Sequence, residues 1–386
     1  MKVALVCDWL TEVGGAEKVL LKLHQMYPKA PIFTSQYNPK RIDWFRDAEV
    51  KVGWMRIFPS FLRRFLGVFR VKYFRKLDLS DYDLVISVTG AEAKGIKTKK
   101  EDGTGAKHIC YCHVPTQYYW QLYDDYVKNP GFGALDPIVR FFFKVFVKKL
   151  REEDFKAAQL PDYFVTISEY AKGKIKKYYK REAVVVAPPV EVEKFSTGFS
   201  TGKGGNENEG KVERRVERRG FITTSRQVTW KKLDLAVEVC VRMKRPLLLV
   251  GQGPEHKNLM QIANENEWIK FLPTTDTEHI REYLNSSEGF LFPSLEPFGI
   301  APVEALAAGC PVIAYGHGGS RDFIEDGVNG VFFMRQSVKE LEDAIRRFDQ
   351  IQFDEKKVRA SAEGFSEENF VRKMEVMIEG VINEKN

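Results

Sequence analysis

The chain is poor in cysteine, opens without a long apolar run, and holds one extended stretch with no acid at all. Each shortage removes a class of protein. Five cysteines occur among 386 residues (Cys7, Cys110, Cys112, Cys240 and Cys310), and most fall inside apolar runs. An odd, buried set argues against a disulfide framework and for a reducing compartment. Cys110 and Cys112 point to one face of a strand and have His108 and His113 nearby, yet no second ligand pair follows. We therefore expect no metal site. Met1-Lys2 precedes only five apolar residues before Asp8, too few for a secretory leader or a membrane span. The stretch without acid runs from Trp54 to Lys76 and is taken up below.

What is present points to a globular protein with two cores. The length exceeds one ordinary domain, and 44% of the residues are hydrophobic. A formal charge of +7 is mild, so its distribution matters more than its size.

Residues 290 to 315 organise the rest. An apolar run, Phe290 to Phe292, stops at Pro293, and a second, Val312 to Tyr315, follows Cys310-Pro311. Between them the spacing predicts a helix, with Pro302 in its first turn and Gly309 just past its end. This is a strand–loop–helix–strand unit of a parallel sheet. Its loop carries Glu296, and Glu304 is expected in the first turn of the helix. A helix start offers unpaired N–H groups and a positive dipole end, which suit a phosphate. Two carboxylates beside it would repel phosphate but accept hydrogen bonds from vicinal hydroxyls. Phosphate on the helix start with diols on either side describes a nucleotide-sugar. The plainer reading is a core helix with two solvated glutamates.

The frame around the glutamates is Pro-Ser-x-x-Glu-x-Phe-Gly-x-x-x-x-Glu-Ala-x-Ala-x-Gly-x-Pro-Val, from Pro293 to Val312. It resembles the donor site of the retaining glycosyltransferases of family 4, which have the GT-B fold. The resemblance implies an α/β chain of two Rossmann-like domains, with parallel sheets facing a cleft and a last helix crossing back to the first domain. On that pattern residues 1–190 bind the acceptor, and 191–220 are a linker and mobile insertion. Residues 221–365 bind the nucleotide-sugar, and 366–386 form the returning helix.

Other stretches carry the same resemblance. After the first strand, Lys2 to Cys7, comes Gly14-Gly15 before a helical pattern. A glycine pair there lets backbone approach a ligand or simply makes a tight turn. The resemblance turns this loop toward donor phosphates and acceptor. Strand Lys107 to Cys112 ends at His113, at the strand tip where open α/β sheets bind ligands. In the family, a histidine here points at the donor sugar. Tyr-Cys-His-x-Pro-x-x-Tyr-x-Trp, Tyr111 to Trp120, is similar to mannosyltransferases that assemble bacterial and archaeal cell-surface polysaccharides. Those carry Thr-Pro-Met-Arg after the histidine, whereas this chain has Val114, Thr116 and Gln117. Strand Phe221 to Thr224 leads into Ser225-Arg226-x4-Lys231-Lys232-x-Asp234, two cations able to neutralise a diphosphate. They match the family's Gly-Arg-x4-Lys-Gly-x-Asp, with Ser225 and Lys232 in place of glycine. Leu272-Pro273 closes a strand where the family places the base against backbone, and His317-Gly318-Gly319 resembles its glycine turn.

The implied reaction transfers a hexose, mannose from GDP-mannose in the first instance, onto a glycan or lipid-linked acceptor with retention and without metal or cofactor. Arg226, Lys231 and the helix start at Gly299, Ile300 and Ala301, with Phe298 beside it, would hold the diphosphate. Glu304 would hold the ribose, and Glu296 and His113 the sugar. Alternatives are a UDP-sugar-dependent family 4 transferase, a GT-B sugar-nucleotide 2-epimerase, and a non-catalytic membrane adaptor.

Trp54 to Lys76 has seven basic residues (Arg56, Arg63, Arg64, Arg70, Lys72, Arg75, Lys76), seven aromatics and no acid. Phe58, Phe61, Phe65 and Phe69 follow one helical face. A basic, aromatic, amphipathic helix suits an anionic membrane surface. The expected location is cytoplasmic, on the inner face of the cell membrane. Aromatics in a core with a solvated basic face is the rival reading, and no nucleic-acid module is found. Phe141 to Leu150 is a second aromatic-basic segment.

Overall fold

A computed structural model describes residues 1–58, 66–128, 133–196, 218–273 and 275–384, and within these the side chains of Ala134 and Phe142 are not described. Residues 197–217 of the expected insertion lie outside the described residues, as do Phe61, Arg63, Arg64 and Phe65. The described chain divides into two compact units, Met1–Pro189 with Phe370–Asn386, and Val190–Asn369.

In chain order the first unit has β1 (Val3–Cys7), α1 (Gly15–Met26), β2 (Ile32–Thr34), β3 (Val50–Val52), α2 (Gly67–Lys76) and β4 (Leu84–Thr89). Then come β5 (Lys107–Cys112), α3 (Tyr123–Lys128), α4 (Asp136–Ala157), β6 (Tyr163–Thr166), α5 (Glu169–Tyr179) and β7 (Val184–Val185). All neighbouring strands pair in parallel, in the order β3-β2-β1-β4-β5-β6-β7. Every residue of β1 and β4 is buried. That is what continuous runs such as Val-Ala-Leu-Val-Cys mean: a parallel strand is covered on both faces, so alternation disappears. The strand order reverses between β1 and β4, the kind of point at which open α/β sheets bind ligands.

The second unit repeats the design. After α6 (Val192–Ser196) it runs β8 (Phe221–Thr224), α7 (Leu233–Met243), β9 (Leu247–Val250), α8 (His256–Ala263), β10 (Ile269–Leu272) and α9 (Thr277–Ser286). It continues with β11 (Gly289–Phe292), α10 (Ile300–Ala307), β12 (Val312–Tyr315), β13 (Gly330–Phe333), α11 (Val338–Phe348) and α12 (Glu355–Ala360). The parallel order is β10-β9-β8-β11-β12-β13, reversing between β8 and β11. Leu233, Val237 and Cys240 of α7 pack with Leu249, Leu291, Ile313 and Val331 of the strands and Leu341, Ile345 and Phe348 of α11. The final helix, α13 (Glu367–Asn383), buries Phe370, Met374, Ile378 and Val381, one residue per turn. From Phe370 onward it belongs to the first unit. There Phe370 meets the ring of Tyr111 at 6.0 Å, and Tyr163 donates to Glu384 just past the helix. The described chain thus has two parallel-sheet, Rossmann-like units, the GT-B architecture.

The Trp54–Lys76 stretch is not the continuous helix its spacing predicts. Trp54–Ile57 is a 3-10 turn, Phe58 is extended, and α2 begins only at Gly67, so Phe58 and Phe69 lie on different elements. Arg70 is a correction to the basic surface: its side chain is 4% exposed and pairs with Glu92. Tyr73 and Phe74 are core. Helical spacing marks one buried face of α2, and a long-range acid turns one of its cations inward. Among the described residues no helix is long and apolar enough to cross a membrane.

Candidate functional site

In the second unit, the residues singled out by sequence gather at the carboxyl ends of β8 and β11, on either side of the strand reversal. After β8 the chain passes Ser225 and the exposed Arg226, makes a 3-10 turn Thr229–Lys231, and enters α7. Lys232, in the position where the family has glycine, takes φ 54° and ψ 35°. This left-handed conformation costs a side-chain-bearing residue on the order of 1 kcal/mol, which explains why glycine suits the position. Gln227 is fully buried and fixes the loop. Its side chain donates to the Gly251 carbonyl at 2.6 Å and meets His256 Nδ1 at 2.8 Å.

Lys231 and Glu296, 65 residues apart, form an ion pair in which each side chain is 16% exposed. Ser294 Oγ donates to the same carboxylate oxygen at 2.8 Å. Lys231 also lies 4.6 Å from the centre of the Trp230 ring. No ion pair to Arg226 is formed among the described residues. A cation from the β8 loop and a carboxylate from the β11 loop are therefore brought together by the fold.

The helix start is built as the sequence reading expects, with one shift. Gly299 caps α10 at φ 126°, and a Cβ there would meet Phe292 Cζ at 2.8 Å. Ile300 and Ala301 open the helix, and their N–H groups have no partner inside it. Glu304 is the fifth helical residue, one turn further in than expected, because the helix begins two residues before Pro302. The far end closes through Gly309 at φ 71°: its N–H donates to Leu306, and that of Cys310 donates to Ala305. These two bonds make the Schellman arrangement that ends the helix.

Gly318 and Gly319 press on the Glu296 loop from behind. The Gly319 N–H donates to the Glu296 carbonyl at 2.8 Å. A Cβ on Gly319 would lie 2.3 Å from the Pro297 carbonyl oxygen and 2.4 Å from Phe298 Cα. The Phe298 ring is buried against Phe323 and Phe365, so its side chain is a core group. Leu272 accepts from the Gly251 N–H at 2.9 Å, and Pro273 is exposed beside it.

In the first unit, His113 leaves β5 with its backbone N–H donating to Thr89 at 2.9 Å and its ring edge-on to Tyr111 at 5.5 Å. Its Nε2 is sealed from solvent without a hydrogen-bond partner among the described residues. Burial pulls its pKa down to about 4, keeping the ring neutral. Gly14 caps α1 in an extended conformation, and Gly15 is the first helical residue, so the pair forms the helix entrance. Cys110 and Cys112 are buried, and among the described residues no cluster of three ligating side chains could hold a metal.

Sequence reasoning passed over a buried charge network at the same edge. Asp8, directly after β1, accepts from Thr89 Oγ1 and from the N–H groups of Gly90, Ala91 and Ala93. Burial and then the nearby Glu92 push its pKa up, against the lowering effect of the Ala93 and Gly90 N–H groups. Glu92 takes two bonds from Arg70, at 2.9 and 3.2 Å, and one from Tyr118 at 2.8 Å. Asp154 accepts from Lys94, Thr116, Trp120 and Tyr179 at 2.7 to 2.8 Å. Burial alone would lower the Lys94 pKa, yet the adjoining Asp154 carboxylate holds it well above the ordinary lysine value. Thr116, Tyr118 and Trp120 of the histidine motif thus tie the loop down. The only signal in the sequence was an acid, Asp154, inside an otherwise amphipathic pattern.

Residues 206–365 match the family described as "Glycosyl transferases group 1". The chain is 26% identical over 196 residues to the "Uncharacterized glycosyltransferase YqgM" of Bacillus subtilis, covering 48% of this chain and 51% of that one. It is 30% identical over 138 residues to the human "Alpha-1,3/1,6-mannosyltransferase ALG2", covering 36% of this chain and 32% of that one. The chain therefore spans about half the length of the bacterial relative and a third of the human one. Among solved structures, Anabaena Alr3699/HepE in complex with UDP superposes with a TM-score of 0.67 at 16% identity, covering 98% of this chain and 100% of that one. Its complex with UDP-glucose gives 0.66. Residues 206–365 are thus similar to the group 1 glycosyl transferases, and the described chain has the GT-B fold.

Proposed function

We propose that this protein is a retaining, metal-independent glycosyltransferase that moves a hexose from a UDP-sugar to a glycan or lipid-linked saccharide at the inner face of the cell membrane. The observation that carries this reading is the Lys231–Glu296 pair beside the α10 start. One cation and one sugar-binding acid, from loops on either side of a strand reversal, suit a sugar diphosphate better than phosphate or sugar alone. UDP is favoured over the GDP-mannose that the histidine motif suggests, because the Anabaena neighbour is known in complex with UDP and with UDP-glucose. GDP-mannose remains the second reading on the strength of the mannosyltransferase name of the human relative.

In this reading Lys231, Arg226 and the N–H groups of Ile300 and Ala301 neutralise the diphosphate as the bond from C1 to the phosphate oxygen breaks. The electron pair stays on the diphosphate. The acceptor oxygen bonds to C1 from the same face, and its proton passes to the departing diphosphate. The protein's contribution is placement and fixed charge. Glu304 holds the ribose, and Leu272 and Pro273 border the base. Glu296 serves the sugar hydroxyls; in the first unit, His113 and the Gly14–Gly15 entrance of α1 are the residues assigned to ligand binding. The test is to incubate the protein with UDP-glucose, other UDP-hexoses and GDP-mannose, with and without a lipid-linked saccharide. Release of UDP that rises with acceptor supports the reading. A new sugar nucleotide formed without acceptor would instead identify an epimerase, and turnover lost to a chelator would contradict a metal-independent reaction.

A further inference from the structure

Besides Trp54, Ile57, Val68 and Phe69 of the first basic stretch, the first unit exposes apolar side chains along α4, whose middle is the second aromatic-basic segment of the sequence. Leu135, Ile138, Phe141, Val145 and Phe146 are each between 49% and 64% exposed. From Ile138, the positions 141, 145 and 149 recur at helical spacing, so Ile138, Phe141 and Val145 form a stripe that ends at Lys149. The opposite face is fixed inward. Val147, Asp154 and Ala158 are buried, and Phe143 packs on Tyr119 and Tyr123. Arg140 donates to the carbonyls of Val127 and Lys128, and Arg151 to that of Tyr119.

Charge selects the partner. Between Pro137 and Arg151 there is no acid. With Arg140 and Arg151 turned inward, the exposed cations are Lys144, Lys148 and Lys149, flanking the stripe. The core of a protein interface is depleted in lysine. At a bilayer, by contrast, lysine stems lie along apolar surface while their ammonium groups reach anionic head groups.

We propose that the Ile138–Phe141–Val145 face of α4 inserts into the head-group region of an anionic lipid bilayer. This deepens the reading of a membrane-bound acceptor by naming the surface that meets the lipid. Because vesicle binding is measured without donor or acceptor, its failure and failure of the transferase reading are separate results.

The experiment is co-sedimentation of the full-length protein with phosphatidylcholine vesicles, and with vesicles of phosphatidylcholine mixed with phosphatidylglycerol. The parent should partition onto the mixed vesicles and hardly onto the neutral ones. Partition should fall as salt rises toward a Debye length of about 3 Å. Each of Lys144→Gln, Lys148→Gln and Lys149→Gln should weaken it about fivefold. The triple variant I138S/F141S/V145S should lose binding while its thermal unfolding is unchanged, since these side chains are exposed in the parent. A second set, Arg56→Gln with Lys72→Gln, should retain most of the binding. The proposal is overturned if I138S/F141S/V145S sediments with mixed vesicles as the parent does, or if the parent ignores them. It is equally overturned if the parent self-associates in solution and the triple variant is monomeric, which would make this a protein face.

Discussion

Replacing Lys231 with Met tests the donor site at its most informative point. The Lys231 ammonium is paired with Glu296, with both side chains 16% exposed, so solvent screens the pair only in part. If Lys231 turns to the diphosphate when donor binds, Lys231→Met removes one charge-assisted bond, worth about 1.5–3 kcal/mol. UDP affinity should then fall by about 10- to 150-fold, at 1.4 kcal/mol for each factor of ten. Glu296 is not stranded by the change, because Ser294 Oγ still donates to it at 2.8 Å. Glu296→Gln acts on the other partner. It frees Lys231 from its competitor, so UDP binding should hold or tighten, while turnover of UDP-hexose should fall. Calorimetric titration of UDP into both variants at one ionic strength, beside a turnover assay, separates these outcomes. If Lys231→Met binds UDP as tightly as the parent, the assignment of Lys231 to phosphate is wrong. If Glu296→Gln weakens UDP as much as Lys231→Met does, the division between phosphate and sugar is wrong.

Arg70→Ala leaves the buried Glu92 carboxylate without its bidentate partner and should destabilise the protein by about 3–5 kcal/mol in urea unfolding, whereas a double exchange of Arg70 and Glu92 for Met should recover most of that loss. His108 and His113 are held neutral by burial, with pKa values pulled down to about 3 and about 4. Below the ordinary histidine range the unfolded chain therefore binds more protons than the folded one, so the urea midpoint should fall as pH drops from about 6.5 toward 4; a midpoint that rises over this window would refute the neutral assignment. Gly319→Ala forces a Cβ against the Pro297 carbonyl and should displace the Glu296 loop, reducing UDP-hexose turnover more than it shifts the melting temperature. Lys232→Gly relieves a left-handed conformation and should leave stability within about 1 kcal/mol of the parent, against the usual penalty for glycine in a chain.

Much of the scaffold was legible because its signals are local. Strands β5 and β12 occupy the expected residues, since an apolar run ended by a breaker needs no distant partner to declare itself. The Gly309 end of α10 follows from a single residue at a fixed offset, and a local cap of the same kind starts α5, where the Ser168 hydroxyl accepts from the Ala171 N–H at 3.0 Å. β7, Val184–Val185, is shorter than the apolar run Ala183 to Ala187 that contains it: a strand exists only where a neighbour pairs with it, and β6 offers two partners.

What tertiary structure alone decided is which charges meet. Lys231 and Glu296 are 65 residues apart, Lys94 and Asp154 60, and Arg70 and Glu92 22. In the sequence Arg70 is one more cation in a basic stretch, and Lys94 is an ordinary surface lysine. Both are buried because an acid from another element lies opposite, and a charge is tolerated inside a protein only with such a partner. The same dependence decides which face of α4 is exposed. Its periodicity marks two stripes, and only the packing of Phe143, Val147 and Asp154 against the first unit determines which of them faces water. Sequence determined the elements and their ends, because backbone geometry answers to near neighbours. Burial and ion pairing answer to residues that only the fold brings together.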